Sequence, residues 1–169
     1  AQGAWYRDSV EFAHACGWIR GITDTTFAPN RELTRAQLVT ILYRMAGEPE
    51  VTAASPFTDV AASAWYGDAV TWAAENGIAE GMSATAFAPN QTATREQMEF
   101  SGVDTTATGD LGDFTDASKV SAYAEDAMTW AVHTGIIHGM GNGKLDPKGT
   151  ATRAQFATTV LRLYDLLQA

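Results

Sequence analysis

A single cysteine, Cys16, stands in the 169 residues, so no intrachain disulfide can form and packing must supply the stability. No apolar run approaches the roughly 20 residues that a bilayer-spanning helix needs. No charged-then-apolar leader opens the chain, and its first residues read as the middle of a structural unit, as expected of a segment of a longer protein. Basic residues are scarce, with eleven Lys and Arg against twenty Asp and Glu, a net charge of -9. Such a surface repels nucleic acid and anionic membrane, so an anionic partner has to be gripped by local arginines rather than by the overall field. His14, His133 and His138 do not share a face at metal-ligand spacing, and the turn at 141–146 lacks the carboxylate series of a calcium loop. Neither a metal nor a cofactor is expected. Cys16 has no matched histidine, and Asp104, Asp110, Asp113 and Asp116 read as an acidic connector, so no catalytic residue is expected either.

What is present is repetition. Thr34-Arg35-Ala36-Gln37, Thr94-Arg95-Glu96-Gln97 and Thr152-Arg153-Ala154-Gln155 recur 60 and then 58 residues apart. Gly21, Gly81 and Gly139 keep those spacings, as do the aromatics Trp5, Trp65 and Tyr123, and 29 residues separate the aromatic from the threonine in every copy. Three units follow, over 1–50, 51–108 and 109–169. The periodicity inside each unit is helical: Trp65, Ala69, Trp72 and Ala73 form one stripe, ended by Gly77 as Gly17 and Gly135 end its equivalents. The second helix begins at the threonine, where a capping box with the glutamine three residues on is written three times. Leu38, Ile41, Leu42 and Met45, and likewise Phe156, Val160, Leu163 and Leu167, should form its buried face. The class expected is all-α, built of three helical hairpins packed about a shared axis. Copy two departs from this. After Met98 about eight residues equivalent to Val39 through Ala46 are missing, leaving too short a stub for a core helix. A break in the chain between Met98 and Glu99 is the expected reason.

These motifs resemble the S-layer homology domain, normally a tandem triplet. The resemblance is carried by Phe57-Thr58-Asp59-Val60, Trp65-Tyr66, Asn76-Gly77-Ile78, Gly81-Met82, Phe87-Ala88-Pro89-Asn90 and Thr94-Arg95-Glu96-Gln97, and by their counterparts in copy three. Copy one begins after its Phe-x-Asp stretch, and copy three has Tyr123-Ala124 in place of Trp-Tyr. The resemblance implies a pseudo-threefold spindle with a central helical bundle and grooves between neighbouring repeats. It also implies an extracellular, non-catalytic module that holds attached cargo domains on the bacterial cell wall. The implied partner is an anionic secondary wall polysaccharide, often capped by a pyruvate-ketal N-acetylmannosamine.

Arg35, Arg95 and Arg153 fall at the first helical position, where a cation opposes the helix dipole at a cost of roughly 0.3–1 kcal/mol. They are expected to hold a ligand carboxylate with help from the helix N-terminus; the alternative is a bridge to Asp59 or Asp116. Trp5, Trp65 and Tyr123 either stack on a sugar face or pack in the core. Asp59 and Asp116 are expected to cap helices, with a ligand contact as the lesser role. Gly21, Gly81 and Gly139 serve backbone geometry first and close sugar approach second. Two other functions remain open: a protein–protein module for surface-lattice assembly, and the targeting part of an extracellular carbohydrate-active enzyme.

Overall fold

A computed structural model describes residues 3–98 and 109–168. The Met98–Glu99 junction lies outside the described residues. Five α-helices are described: α1 (Arg7–Ala15), α2 (Arg35–Met45), α3 (Gly67–Glu75), α4 (Glu125–His133) and α5 (Arg153–Gln168). Short 3₁₀ turns occur at Glu96–Met98, Ala117–Lys119 and Ala122–Ala124. No strand is found among the described residues, only isolated bridges. The all-α class is as the sequence pattern dictates.

The glycine stops are where the periodicity put them, with φ of 74° at Gly17, 65° at Gly77 and 74° at Gly135. That left-handed turn is open to glycine without a Cβ penalty. The capping boxes of α2 and α5 are complete: Thr34 and Gln37 exchange hydrogen bonds, as do Thr152 and Gln155. In copy two Gln97 still accepts from the Thr94 amide, but the buried Thr94 hydroxyl has no partner and the chain turns as a 3₁₀ helix. The first turn is therefore present without the helix that should follow. The third member of the expected bundle falls largely on 99–108, outside the described residues.

The helices α1, α3 and α4 span nine residues each, too short to hold by propensity alone. Their partners come from neighbouring copies, not from within their own: α1 packs on α5, and α3 on α2. Phe12 and Trp18 meet Tyr164 in the first pair, and Tyr43 meets Trp72 in the second. The expected hairpins thus exchange helices between units. Each fully buried large side chain, such as Phe87, Phe156 or Val160, contributes about 1.5–3 kcal/mol. Two sequence expectations fail. Leu167 is exposed near the end of α5, beyond the reach of the core, and Trp65 stands outside α3 rather than on its buried stripe.

A closed ring of backbone hydrogen bonds ties the copies together. The Leu33 amide donates to Ala151, the Ala151 amide to Ala93, and the Ala93 amide to Leu33, at 2.8, 2.9 and 2.8 Å. All three residues are fully buried, so breaking one link would strand polar backbone in the core. The ring sets the repeats in cyclic order and thereby fixes what faces what at the grooves.

Candidate functional site: three grooves shared by three copies

Each threonine that starts a second helix delivers its arginine to the next copy in the cycle. Arg35 donates from Nε to the Phe87 carbonyl at 2.9 Å and from a terminal nitrogen to Glu80 at 2.6 Å. Arg95 does the same to Leu145 and His138, at 2.8 and 3.1 Å. Arg153 closes the cycle onto Phe27 and Arg20, at 2.9 and 2.6 Å. The guanidinium groups of Arg35 and Arg153 also lie over the rings of Phe87 and Phe27, 4.5 and 4.6 Å from the centroids. All three arginines are buried, with at most 7% exposure. Among the described residues none has a carboxylate within ion-pairing distance.

This corrects the sequence reading twice. The bridges considered to Asp59 and Asp116 are not made. The helix N-termini cannot assist a ligand, because their amides are already spent. The Arg35 and Ala36 amides donate to Gln91 and Pro89, those of Arg95 and Glu96 to Gly149 and Pro147, and those of Arg153 and Ala154 to Arg31 and Pro29. Burial depresses the pKa of Arg35, partly offset by the field of Tyr123 and Asp59; it depresses that of Arg95, offset by Asp146 and Asp116. A guanidinium does not deprotonate in a protein, so each groove keeps a buried positive charge.

Asp59 and Asp116 also have a different task from the one expected. They cap no helix by side chain. The Asp59 oxygens accept from the Phe87 and Ala88 amides, both at 2.8 Å. Those of Asp116 accept from Leu145 and Asp146 at 2.8 and 3.0 Å. These amides sit where Ala88 and Asp146 adopt φ of 58° and 53°, just before Pro89 and Pro147. A non-glycine residue there costs roughly 1–2 kcal/mol, which the carboxylate grip offsets. The two aspartates hold the loops from behind and line none of the three grooves.

Gly21, Gly81 and Gly139 are required by close approach. A Cβ on Gly81 would sit 2.4 Å from the Ser83 carbonyl oxygen and 2.5 Å from the Phe57 ring, and the other two meet comparable obstructions. Each glycine lies at a groove wall.

The aromatics complete the picture. Trp5, Trp65 and Tyr123 precede their helices and are 67%, 64% and 61% exposed, so core packing is excluded. One groove of about 470 Å³ holds Arg35 from copy one, Gly81 from copy two and Tyr123 from copy three. A second, about 380 Å³, joins Arg95, Gly139 and Trp5, and a third, about 420 Å³, joins Arg153, Gly21 and Trp65. Every groove therefore draws on all three copies, where neighbouring pairs were expected. Sequence reasoning missed two further sets in the lining. The exposed Ile22, Met82 and Met140 face the aromatics, and Gln37, Gln97 and Gln155, assigned to capping alone, border the grooves as well. Both sets keep the repeat spacing, which was the available signal.

Tyr123, where the other copies have tryptophan, is matched by a second departure. Glu96 replaces the alanine of the other copies, and the Tyr123 hydroxyl donates to it at 3.1 Å. Glu96 is buried and also accepts from Lys148 at 2.6 Å and from the Ser121 amide and hydroxyl at 3.0 Å each. Burial alone would raise its pKa, but the bonds from Lys148 and Ser121 outweigh it and hold the carboxyl below the ordinary glutamate range. Stability from this group is complete above the ordinary value and is lost as pH falls through the lower folded value. The loss of stability between neutral pH and about pH 3 should therefore shrink in Glu96→Gln, as read by urea melts at both pH values. An unchanged loss would show that Glu96 does not carry the acid sensitivity.

The chain matches the family model described as "S-layer homology domain" in three segments, residues 2–39, 56–99 and 113–157. It is 38% identical to a surface-layer protein of Lysinibacillus sphaericus, over 96% of this chain and 14% of that protein. It is 31% identical to an amylopullulanase of Thermoanaerobacterium thermosulfurigenes, over 97% of this chain and 9% of that protein. It is 29% identical to an exoglucanase of Acetivibrio thermocellus, over 97% of this chain and 16% of that protein. The chain thus spans less than a fifth of each of these relatives.

Proposed function

Because this chain belongs to the S-layer homology domain family, non-catalytic modules that hold surface proteins and enzymes on the cell wall, we propose that its three grooves bind an acidic wall polysaccharide and so anchor a longer protein at the bacterial surface. The observation that carries this reading is the pairing, in each groove, of a buried guanidinium that has no acid partner with a wall of exposed aromatic and aliphatic side chains. A buried cation left without an anion is costly, and a ligand carboxylate would compensate it. The flat ring faces of a sugar suit Trp5, Trp65 and Tyr123, which offer rigid apolar area at little entropic cost. A glycan unit bearing one carboxylate, such as a pyruvate ketal, meets both demands.

The test is co-sedimentation with bacterial wall sacculi. The chain should pellet with walls that carry acidic polymer and stay in solution with walls stripped of it. Equal pelleting with both would remove the acidic glycan from the account.

A further inference from the structure

The three grooves share a plan but not a charge. At the residue before the groove glycine, copy one has Arg20 where copies two and three have Glu80 and His138. Copy one also has Arg31 where the others have Gln91 and Gly149. The Arg153 groove is consequently lined by Arg20, Arg31, Arg44 and Arg153, beside Trp65 and without a carboxylate. The Arg35 groove has a single arginine and Glu80, while the Arg95 groove has Arg95, Arg162 and His138. Four of the eleven basic residues of a chain with net charge -9 thus converge on one groove.

The fold holds these residues together. Arg153 binds the Arg20 carbonyl through its side chain at 2.6 Å and the Arg31 carbonyl through its amide at 3.0 Å. Arg44 donates to the Trp18 carbonyl at 3.4 Å, yet its buried Nε has no hydrogen-bond partner. Glu48 approaches that nitrogen only to 3.6 Å, from an exposed position. The like charges are felt within the cluster. Burial and then Arg31 depress the pKa of Arg153, and burial and then Arg20 depress that of Arg44. Repulsion of this kind, built into a concave site, is relieved by an anion of more than one charge.

We propose that the Arg153 groove takes a doubly negative sugar unit, while the other two take singly charged ones. The proposal rests on the glycan-binding reading above and narrows it at one site. Two sources share this chemistry: a sugar phosphomonoester, and two adjacent uronic acid residues. The groove volume, about 420 Å³, lies within the usual range for small-molecule sites.

The decisive experiment is calorimetric titration at fixed ionic strength with mannose 6-phosphate, digalacturonate and glucuronate, the last carrying one charge. The variant is Arg20→Ser with Arg31→Ser; both side chains are exposed, and the fold uses only their backbone carbonyls. The unaltered chain should bind at least one dianion ten-fold or more tighter than glucuronate, and the variant should lose that margin. The dianion that carries the preference identifies the source. No preference in the unaltered chain, or a preference retained by the variant, overturns the proposal. If the chain also continues to pellet with acidic walls, only this inference falls and the anchoring reading stands.

Discussion

Arg35→Ala should destabilise the fold by about 2–4 kcal/mol, a loss large enough to read from urea midpoints. The guanidinium donates to the carbonyls of Phe87 and Glu80 and covers the Phe87 ring. Alanine would leave both carbonyls without a donor, and a buried group left unsatisfied costs about 1–3 kcal/mol. Those carbonyls belong to copy two, so the change loosens the contact between copies rather than a single helix. Arg35→Lys should recover only part of the loss, because an ammonium cannot span two acceptors in a fixed fork. A midpoint for Arg35→Ala within error of the unaltered chain would mean that the arginine does not clamp the copies. The prediction also limits a simpler experiment: loss of wall binding by an Arg→Ala variant would not separate a ligand contact from damage to the scaffold.

Trp5→Ala with Trp65→Ala should show the opposite pattern, with wall binding largely abolished and stability nearly intact. Both rings are about two-thirds exposed and make only an edge contact with Tyr6 and Tyr66. Substitution at such positions usually changes stability by about 0.5 kcal/mol or less. Each ring should contribute about 0.5–1.5 kcal/mol of specific stacking beyond the area it covers, so each affected groove weakens by up to about ten-fold. On a wall that engages several grooves at once, losing two platforms multiplies these factors. Only the groove beside Tyr123 would keep its ring. Retained pelleting by a folded double variant would show that the aromatics do not meet the glycan.

Much of this architecture is legible in the chain itself, because repetition at fixed spacing aligns what periodicity alone leaves ambiguous. The glycine stops, the capping boxes and the buried Phe87 and Leu145 follow from local chemistry, and local chemistry is written in neighbouring residues. The destination of the arginines was not legible. Their acceptors are backbone carbonyls of another copy, and a carbonyl has no residue-type signature. The exchange of helices between copies was hidden for a related reason, since the closed ring through Leu33, Ala93 and Ala151 exists only in three dimensions. Asp59 and Asp116 were misread because their position before a helix resembles a cap, whereas their partners lie nearly thirty residues downstream. By contrast, the pairing of Glu96 with Tyr123 left a trace, as both residues depart from their repeats.

The most direct measurement is a heteronuclear NMR titration of the chain with a disaccharide ending in pyruvate-ketal N-acetylmannosamine. Shifts should concentrate at the Trp5, Trp65 and Tyr123 rings and at the amides of Gly21, Gly81 and Gly139, saturating together within each groove. Binding that leaves these groups undisturbed, or no binding at concentrations where acidic walls retain the chain, would contradict the grooves as the anchoring sites.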